Sequence, residues 1–331
     1  GLAQANILLS TIMGGMSGSS NADAAMEAKV LVPPMEKSGL SKPFSTVITA
    51  FSSIITPLIP PGIGMILYGT LANASIGSLF MWGLSIGAFM CVSMIGLTEI
   101  IAKKRGYTPY RRERATAKEW KRVLKLSWPA LMLPVVIIGS IRVGAVSPSE
   151  AGAVAVVYSL ILGIVWGEID GKKFIKAMRE SASTIGALML IVATAAIYSW
   201  ILTKEQLPQV IAEALLGSVS NKYVFLLVVN LFLLLVGMLM EGAAATIILV
   251  PLLAPIAQMY GIDLVHFGMV VVFNMSIGGV SPPIGTLMFV TCGVTNCKIK
   301  DFLKEGIPYF VYMLILLMLI TYLPFSFSWL Y

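Results

Sequence analysis

Apolar positions run through this chain in blocks rather than in amphipathic stripes. The blocks cover approximately 4–16, 20–35, 42–55, 62–72, 76–101, 126–143, 146–167, 182–203, 223–239, 242–260, 264–277, 284–295 and 306–330. Helices apolar all round belong in a core or a bilayer, and about 20 such residues cross one. Five blocks (76–101, 126–143, 146–167, 182–203 and 306–330) predict full spans. The rest are short, come in pairs, and are interrupted by Gly, Pro, Ser or Asn. This predicts an all-α polytopic membrane protein with two re-entrant hairpins and two Pro-Pro-broken helices.

The pattern repeats at an ungapped offset of 222 residues. Pro33 matches Pro255, Gly39-Leu40 matches Gly261-Ile262, Phe51 matches Phe273, Pro60-Pro61 matches Pro282-Pro283, and Phe80 matches Phe302. Each copy is a hairpin followed by a helix broken at Pro-Pro. The implied domains are 1–72 for the first repeat, 73–221 for scaffold and connecting helices with a basic loop at 102–125, 222–297 for the second repeat, and 298–331 for a linker and C-terminal span.

Charge orients the copies. Ten basic residues lie between Lys103 and Lys125. Further clusters are Lys172, Lys173, Lys176 and Arg179; Lys298, Lys300 and Lys304; and Lys29, Lys37 and Lys42. Cytoplasmic loops are enriched in Lys and Arg. If residues 4–35 form a hairpin entering from the cytoplasm, all four clusters fall inside. Only Arg142, Lys204 and Lys222 of the 23 basic residues fall outside. The second hairpin then enters from the opposite face, which makes the repeat inverted. Inverted repeats are a transporter architecture, with substrate and ion sites near the midplane.

Composition agrees: 57% of residues are hydrophobic and 12% charged, against roughly 25% charged in soluble domains. The net charge of +7 is accounted for by the cytoplasmic clusters, so nucleic acid is not needed as a partner; the bilayer is. Cys91, Cys292 and Cys297 are an odd number within or beside apolar stretches, which argues against a disulfide framework or metal cluster. The chain starts at Gly1 without a signal-peptide pattern, and its first apolar run is too short to cross a bilayer. An N-terminal segment is therefore expected to be missing.

Candidate chemistry gathers at the hairpin turns and breaks. Ser17, Gly18, Ser19, Ser20 and Asn21 form the first turn, facing Ser52 to Gly62. In the second copy Glu241-Gly242 faces Asn274 to Pro283. Prolines leave helix carbonyls unpaired, and hydroxyl and carbonyl oxygens suit a hard cation such as sodium. Half-helix N-termini around Asn21, Gly62, Gly242 and Gly285 suit a carboxylate. Arg142 is a further substrate candidate, with pairing to Glu150 or plain hydration as the alternatives. Asp23 and Glu27 lie at membrane depth on the second hairpin arm; Asp23 is a site candidate and Glu27 reads as structural. A rival reading takes Gly15-Met16-Ser17-Gly18 as the nucleophile turn of an intramembrane serine protease with His266 as base. That base begins the second broken helix, far from the turn.

Taken together, Gly14 to Ala24 (G-x-M-S-G-S-S-x-A-D-A), Pro33-Pro34-Met35, Thr56 to Ile63 (T-P-L-I-P-P-G-I), Val146 to Ala151 and Ser281 to Gly285 resemble the large membrane subunit of tripartite ATP-independent periplasmic (TRAP) transporters. The resemblance covers the whole chain. It implies sodium-coupled uptake of a small carboxylate, of the C4-dicarboxylate or sialic acid class, by an elevator mechanism in a bacterial inner membrane. The implied partners are a small four-helix membrane subunit and a periplasmic substrate-binding protein. No enzyme activity and no cofactor beyond sodium ions are implied. The first sodium site maps to Ser17, Gly18, Ser19, Thr56, Pro57, Pro60 and Pro61. The second maps to Glu241, Gly242, Gly278, Gly279, Ser281 and Pro282. Substrate candidates are Ser20, Asn21, Gly62, Asn274, Gly285 and Arg142. Members also carry further N-terminal helices. The alternatives are a related proton- or sodium-coupled carboxylate transporter that needs no binding protein, a non-transporting assembly subunit, and the protease.

Overall fold

The computed structural model describes residues 1–107, 116–206, 210 and 221–323, and every regular element among them is helical. The first hairpin is α1 (Leu2–Ser17) and α2 (Ser20–Lys37). A bent helix follows as α3 (Lys42–Ser52), a 3-10 turn (Thr56–Leu58) and α4 (Ile63–Leu71), then α5 (Ile76–Lys104). The middle of the chain forms α6 (Ala117–Arg142), α7 (Pro148–Val165) and α8 (Gly171–Lys204). The second hairpin is α9 (Lys222–Leu239) and α10 (Gly242–Met259). The second broken helix is α11 (Leu264–Val280) and α12 (Thr286–Thr295), followed by α13 (Ile299–Tyr322).

Capping residues explain why the two copies keep one register. Ser19 caps α2 and Glu241, 222 residues on, caps α10; Ser41 caps α3 and Asp263 caps α11. In each case a side-chain oxygen accepts from backbone N–H groups that have no helical partner. Gly39 and Gly261 both take positive φ between the second hairpin arm and the broken helix. The correspondence therefore runs from α1 to α5 and from α9 to α13, beyond the expected repeat boundaries.

Among the described residues, five helices are long and apolar enough to cross a membrane: α5, most of α8, α9, α10 and α13. The pair Lys42–Leu58 and Ile63–Leu71, bent by 42°, makes a sixth. Each arm of the second hairpin has the length and composition of a full crossing. The first hairpin has no such arm, because α1 is only 16 residues long and α2 carries Asp23, Glu27, Lys29, Glu36 and Lys37.

Several expected boundaries shift. The basic stretch from Lys172 to Arg179 is not a loop but the first turns of α8, and α13 starts at Ile299 rather than 306. Apolar blocks mark where a helix meets lipid, whereas backbone hydrogen bonds continue into water. In the basic segment around 102–125, Lys103 and Lys104 end α5 and residues from Ala117 onward are in α6; residues 108–115 lie outside the described set. Residues 324–331 lie outside it too.

Contacts divide the chain into one unit of Gly1–Arg112 with Leu202–Tyr331, and another of Glu113–Ile201. The first unit contains both repeats, with α5 and α13 packed into it. Its core includes Phe51, stacked on Phe302 and edge-on to Phe310. In the second unit, Leu133, Ile137 and Ala151 form the buried contact between α6 and α7.

The two repeats exchange their short half-helices. α4 packs on α10, the second arm of the other hairpin, and α12 packs reciprocally on α2. Polar ties also join each half-helix to the other repeat's broken helix: the Tyr68 hydroxyl of α4 donates to the Leu264 carbonyl of α11 at 2.8 Å, and the hydroxyls of Thr46 in α3 and Thr295 in α12 meet at 3.1 Å.

Candidate functional site

Proline placement makes the two breaks unequal. Pro57 lacks an N–H to return to the Ser53 carbonyl, and its ring crowds that carbonyl. The first broken helix accordingly leaves α geometry at Ser53 and tightens into the 3-10 turn at Thr56. The equivalent residue in the second copy is Gly279, and α11 continues to Val280. Gly278 and Gly279, expected in the break, are thus helical, and the second break spans only Ser281 to Gly285. Both Pro-Pro bonds, Pro60-Pro61 and Pro282-Pro283, are cis.

Each hairpin turn meets the break of its own copy. Gly18 ends α1 at φ 60°, and a Cβ there would lie 2.6 Å from the Pro61 carbonyl oxygen. A Cβ on Gly14 would lie 2.7 Å from Cβ of Ile59. On the break's other side, Gly83 of α5 approaches the Leu58 carbonyl as closely. The Ser17 hydroxyl is buried at this junction with no hydrogen-bond partner. In the second copy, Gly278 abuts the backbone of Gly237, and the Ile284 N–H donates to the Met238 carbonyl at 3.2 Å.

Exposure separates the two sites. Thr56, Pro57, Pro60 and Gly62 are buried, Pro61 is half-buried, and Ser19, Ser20 and Asn21 are half-exposed. Glu241, Pro282, Pro283 and Ile284 are exposed, while Ser281 and Gly285 are buried. The Glu241 carboxylate is engaged by the N–H groups of Ala243 and Ala244 at 2.9 and 3.0 Å, as a cap. Gly62 and Gly285 precede α4 and α12 without a side-chain cap, leaving the first N–H groups of both half-helices without one. Arg142 ends α6 in the other unit, and its side chain lies outside the described residues.

Behind the first break lies a buried polar layer that the motifs only partly indicate. Thr56 donates to Asp23 at 2.7 Å. Ser10 contacts Glu27 at 2.7 Å and Ser52 at 2.8 Å; Ser52 donates to Asn6 at 2.9 Å; and the Asn6 amide donates to Thr49 at 3.0 Å. All of these residues are fully buried. The second copy has a smaller counterpart. Asn274, equivalent to Ser52, donates to Asn230 at 2.7 Å, and Asn230 donates to Thr321 at 3.0 Å. Asn6, Ser10, Thr49 and Asn230 were missed from sequence. Their signal was present, as isolated polar residues inside otherwise apolar arms.

His266 is buried, with Nε2 3.0 Å from the Ile320 carbonyl, and it does not pair with Ser17. No group of three or more His, Cys, Asp and Glu suited to a metal occurs among the described residues.

Comparison with known proteins places these features in context. The family profile described as "Tripartite ATP-independent periplasmic transporter, DctM component" matches residues 1–325. The sialic acid TRAP transporter large permease SiaM of Vibrio cholerae is 36% identical over 324 residues, 98% of this chain and 75% of that protein. The C4-dicarboxylate large permease DctM of Pseudomonas aeruginosa is 35% identical over 327 residues, with 98% and 76% covered. The isethionate TRAP permease DctMQ of Oleidesulfovibrio alaskensis is 37% identical over 325 residues, 98% of this chain but 51% of that longer protein.

Proposed function

Given that this chain belongs to the DctM-component family of TRAP transporters, as a polytopic inner-membrane permease and not an enzyme, we propose that it carries a small organic anion across the membrane with sodium as coupling ion. The observation that carries this reading is the pairing of each hairpin turn with a helix break. Irregular backbone at membrane depth is tolerated only where it is buried or lines a cavity.

The first ion site consists of Ser17, Gly18, Ser19 and the break through Thr56, Pro57, Pro60 and Pro61. The oxygens fit a hard cation: the buried Ser17 hydroxyl has no protein partner, and Gly18 lets the turn approach the Pro61 carbonyl. The second consists of Glu241, Gly242, Gly278, Gly279, Ser281 and Pro282. Its exposure favours exchange with water over occlusion in this conformation. Sodium moving down its gradient would supply the driving force. The side chains and carbonyls supply coordination, and the uncapped first N–H groups of α4 and α12, which follow Gly62 and Gly285, supply positive potential for a substrate carboxylate. Ser20, Asn21 and Asn274 are further substrate contacts, and Arg142 stands apart from them in sequence and unit.

The relatives carry sialic acid, C4-dicarboxylate or isethionate in their names, all anions. We assign the same class here, together with a small membrane subunit and a periplasmic binding protein. The repeats move as one transport body, elevator fashion. The test is reconstitution of the full-length permease with its small partner, and measurement of uptake with and without binding protein and sodium. Saturable uptake needing both is expected; sodium-independent, channel-like flux would overturn the reading.

A further inference from the structure

We propose that Glu27 is a buried proton-binding site, carrying a proton in this conformation. The inference comes from counting hydrogens along the polar layer between α1, α2 and α3. Thr49 has one hydroxyl hydrogen, and it donates to the Ser45 carbonyl at 3.0 Å, a group that can only accept. The 3.0 Å contact between Thr49 and Asn6 must then take its hydrogen from the Asn6 amide, which turns the Asn6 carbonyl toward Ser52. Ser52 faces two acceptors, the Asn6 Oδ1 at 2.9 Å and the Thr49 carbonyl at 3.1 Å, so its hydrogen is committed. The 2.8 Å contact between Ser10 and Ser52 therefore uses the Ser10 hydrogen. The 2.7 Å contact between Ser10 and Glu27 is left without one unless the carboxyl supplies it.

Charge leads to the same assignment. Glu27 is fully buried and its Oε1 has no partner, so an ionised carboxylate here would be unpaired at one oxygen. The elements packed on α2 are α1, α3, the 3-10 turn and α12. Of these, α1 and the 3-10 turn carry no titratable side chain, and the amine of Gly1 bonds Gln4. α3 offers Lys42, paired with Glu36 at 3.8 Å, and α12 offers the buried thiol of Cys292. On α2 itself, Asp23 lies one turn away and is also fully buried, Lys29 is exposed, and Glu36 and Lys37 close the helix. Neither Asp23 nor Glu27 forms an ion pair among the described residues. A second negative charge beside Asp23 is thus opposed by both burial and repulsion.

The layer has a second consistent polarity. If Glu27 loses its proton, Ser10 turns to donate to it, Ser52 turns to Ser10, the Asn6 amide turns over, and Thr49 releases the Ser45 carbonyl. Proton occupancy at Glu27 is thereby linked to how the hairpin arm grips the broken helix.

The test needs no transport assay, so it stands or falls separately from the uptake reading. Infrared spectra of the purified full chain in lipid nanodiscs at neutral pH should contain the C=O stretch of a protonated carboxyl group. The band should vanish in Glu27→Gln, whose amide keeps a donor for Ser10, and persist in Asp23→Asn. Should Glu27→Gln fail to fold, Ser10→Ala serves instead: removal of the acceptor shifts the band to higher frequency. Absence of the band from the wild type, its survival in Glu27→Gln, its loss in Asp23→Asn, or an unshifted band in Ser10→Ala would each overturn the assignment.

Discussion

Gly278 lies so close to Gly237 that an added Cβ would sit 2.5 Å from that residue's backbone, which has no flexible end to move aside. Gly278→Ala should therefore force α9 and α11 apart and destabilise the protein by about 1–3 kcal/mol, as overpacking does. Gly293, also helical, has nothing within 4 Å of such a Cβ. Gly293→Ala should leave stability unchanged or raise it by about 0.5–1 kcal/mol through the loss of glycine's backbone freedom. Thermal unfolding of the two variants in one detergent checks the opposite signs, and equal shifts would refute the close-packing account. At this scale the sequence indicates residue type better than residue role. Ser17 to Ser19 and Thr56 were legible because small and hydroxyl residues interrupt apolar runs. Glu27 reads as structural on one strand of text, because its partners Ser10, Ser52 and Asn6 reach it only through folding.

Among the elements, the inequality of the two breaks follows from Pro57 facing Gly279 in the alignment of the copies. If the unpaired Ser53 carbonyl contributes to the first ion site, Pro57→Ala restores its hydrogen bond and removes an oxygen from the ion. The sodium concentration for half-maximal uptake should then rise several-fold; an unchanged value counts against the site. Ser19→Leu acts from the other side. It removes an oxygen and the α2 cap, and it should also raise the sodium requirement, with a loss of about 0.5–2 kcal/mol from the cap. The cap bond is long, 3.5 Å, which places the effect near the lower figure. Helix existence and the 222-residue register were readable from apolar blocks and Pro-Pro pairs. Helix ends were not, as with α8 and α13, because a helix leaving the membrane changes composition without changing its hydrogen bonding. Nor was the shortness of the second break, which required weighing one proline against one glycine.

For the whole molecule, the exchange of α4 and α12 predicts that the repeats travel together. Cysteines at positions 46 and 295, in a background without Cys91, Cys292 and Cys297, should cross-link under mild oxidation, since the two hydroxyls already touch. Uptake should survive the cross-link if both repeats belong to one moving body. Its loss, reversed by reductant, would show that they slide past each other. The pairing of copies was visible in the sequence, but their interlock was not. Which half-helix covers which hairpin depends on side-chain fit between segments at least 171 residues apart, the separation of Leu71 from Gly242.

That interlock also sets a timetable for synthesis. The bond between Thr46 and Thr295 joins residues 249 positions apart. At roughly 5–20 residues per second, α2 and α3 emerge about 10–50 s before the helix that covers them. Through that interval α2 has only elements of its own repeat against it, namely α1, α3 and the 3-10 turn. A ribosome that stalls or terminates before α12 releases a chain whose α2 and α3 lack a packing partner inside lipid, a mark by which membrane proteases can tell an unfinished copy from a finished one.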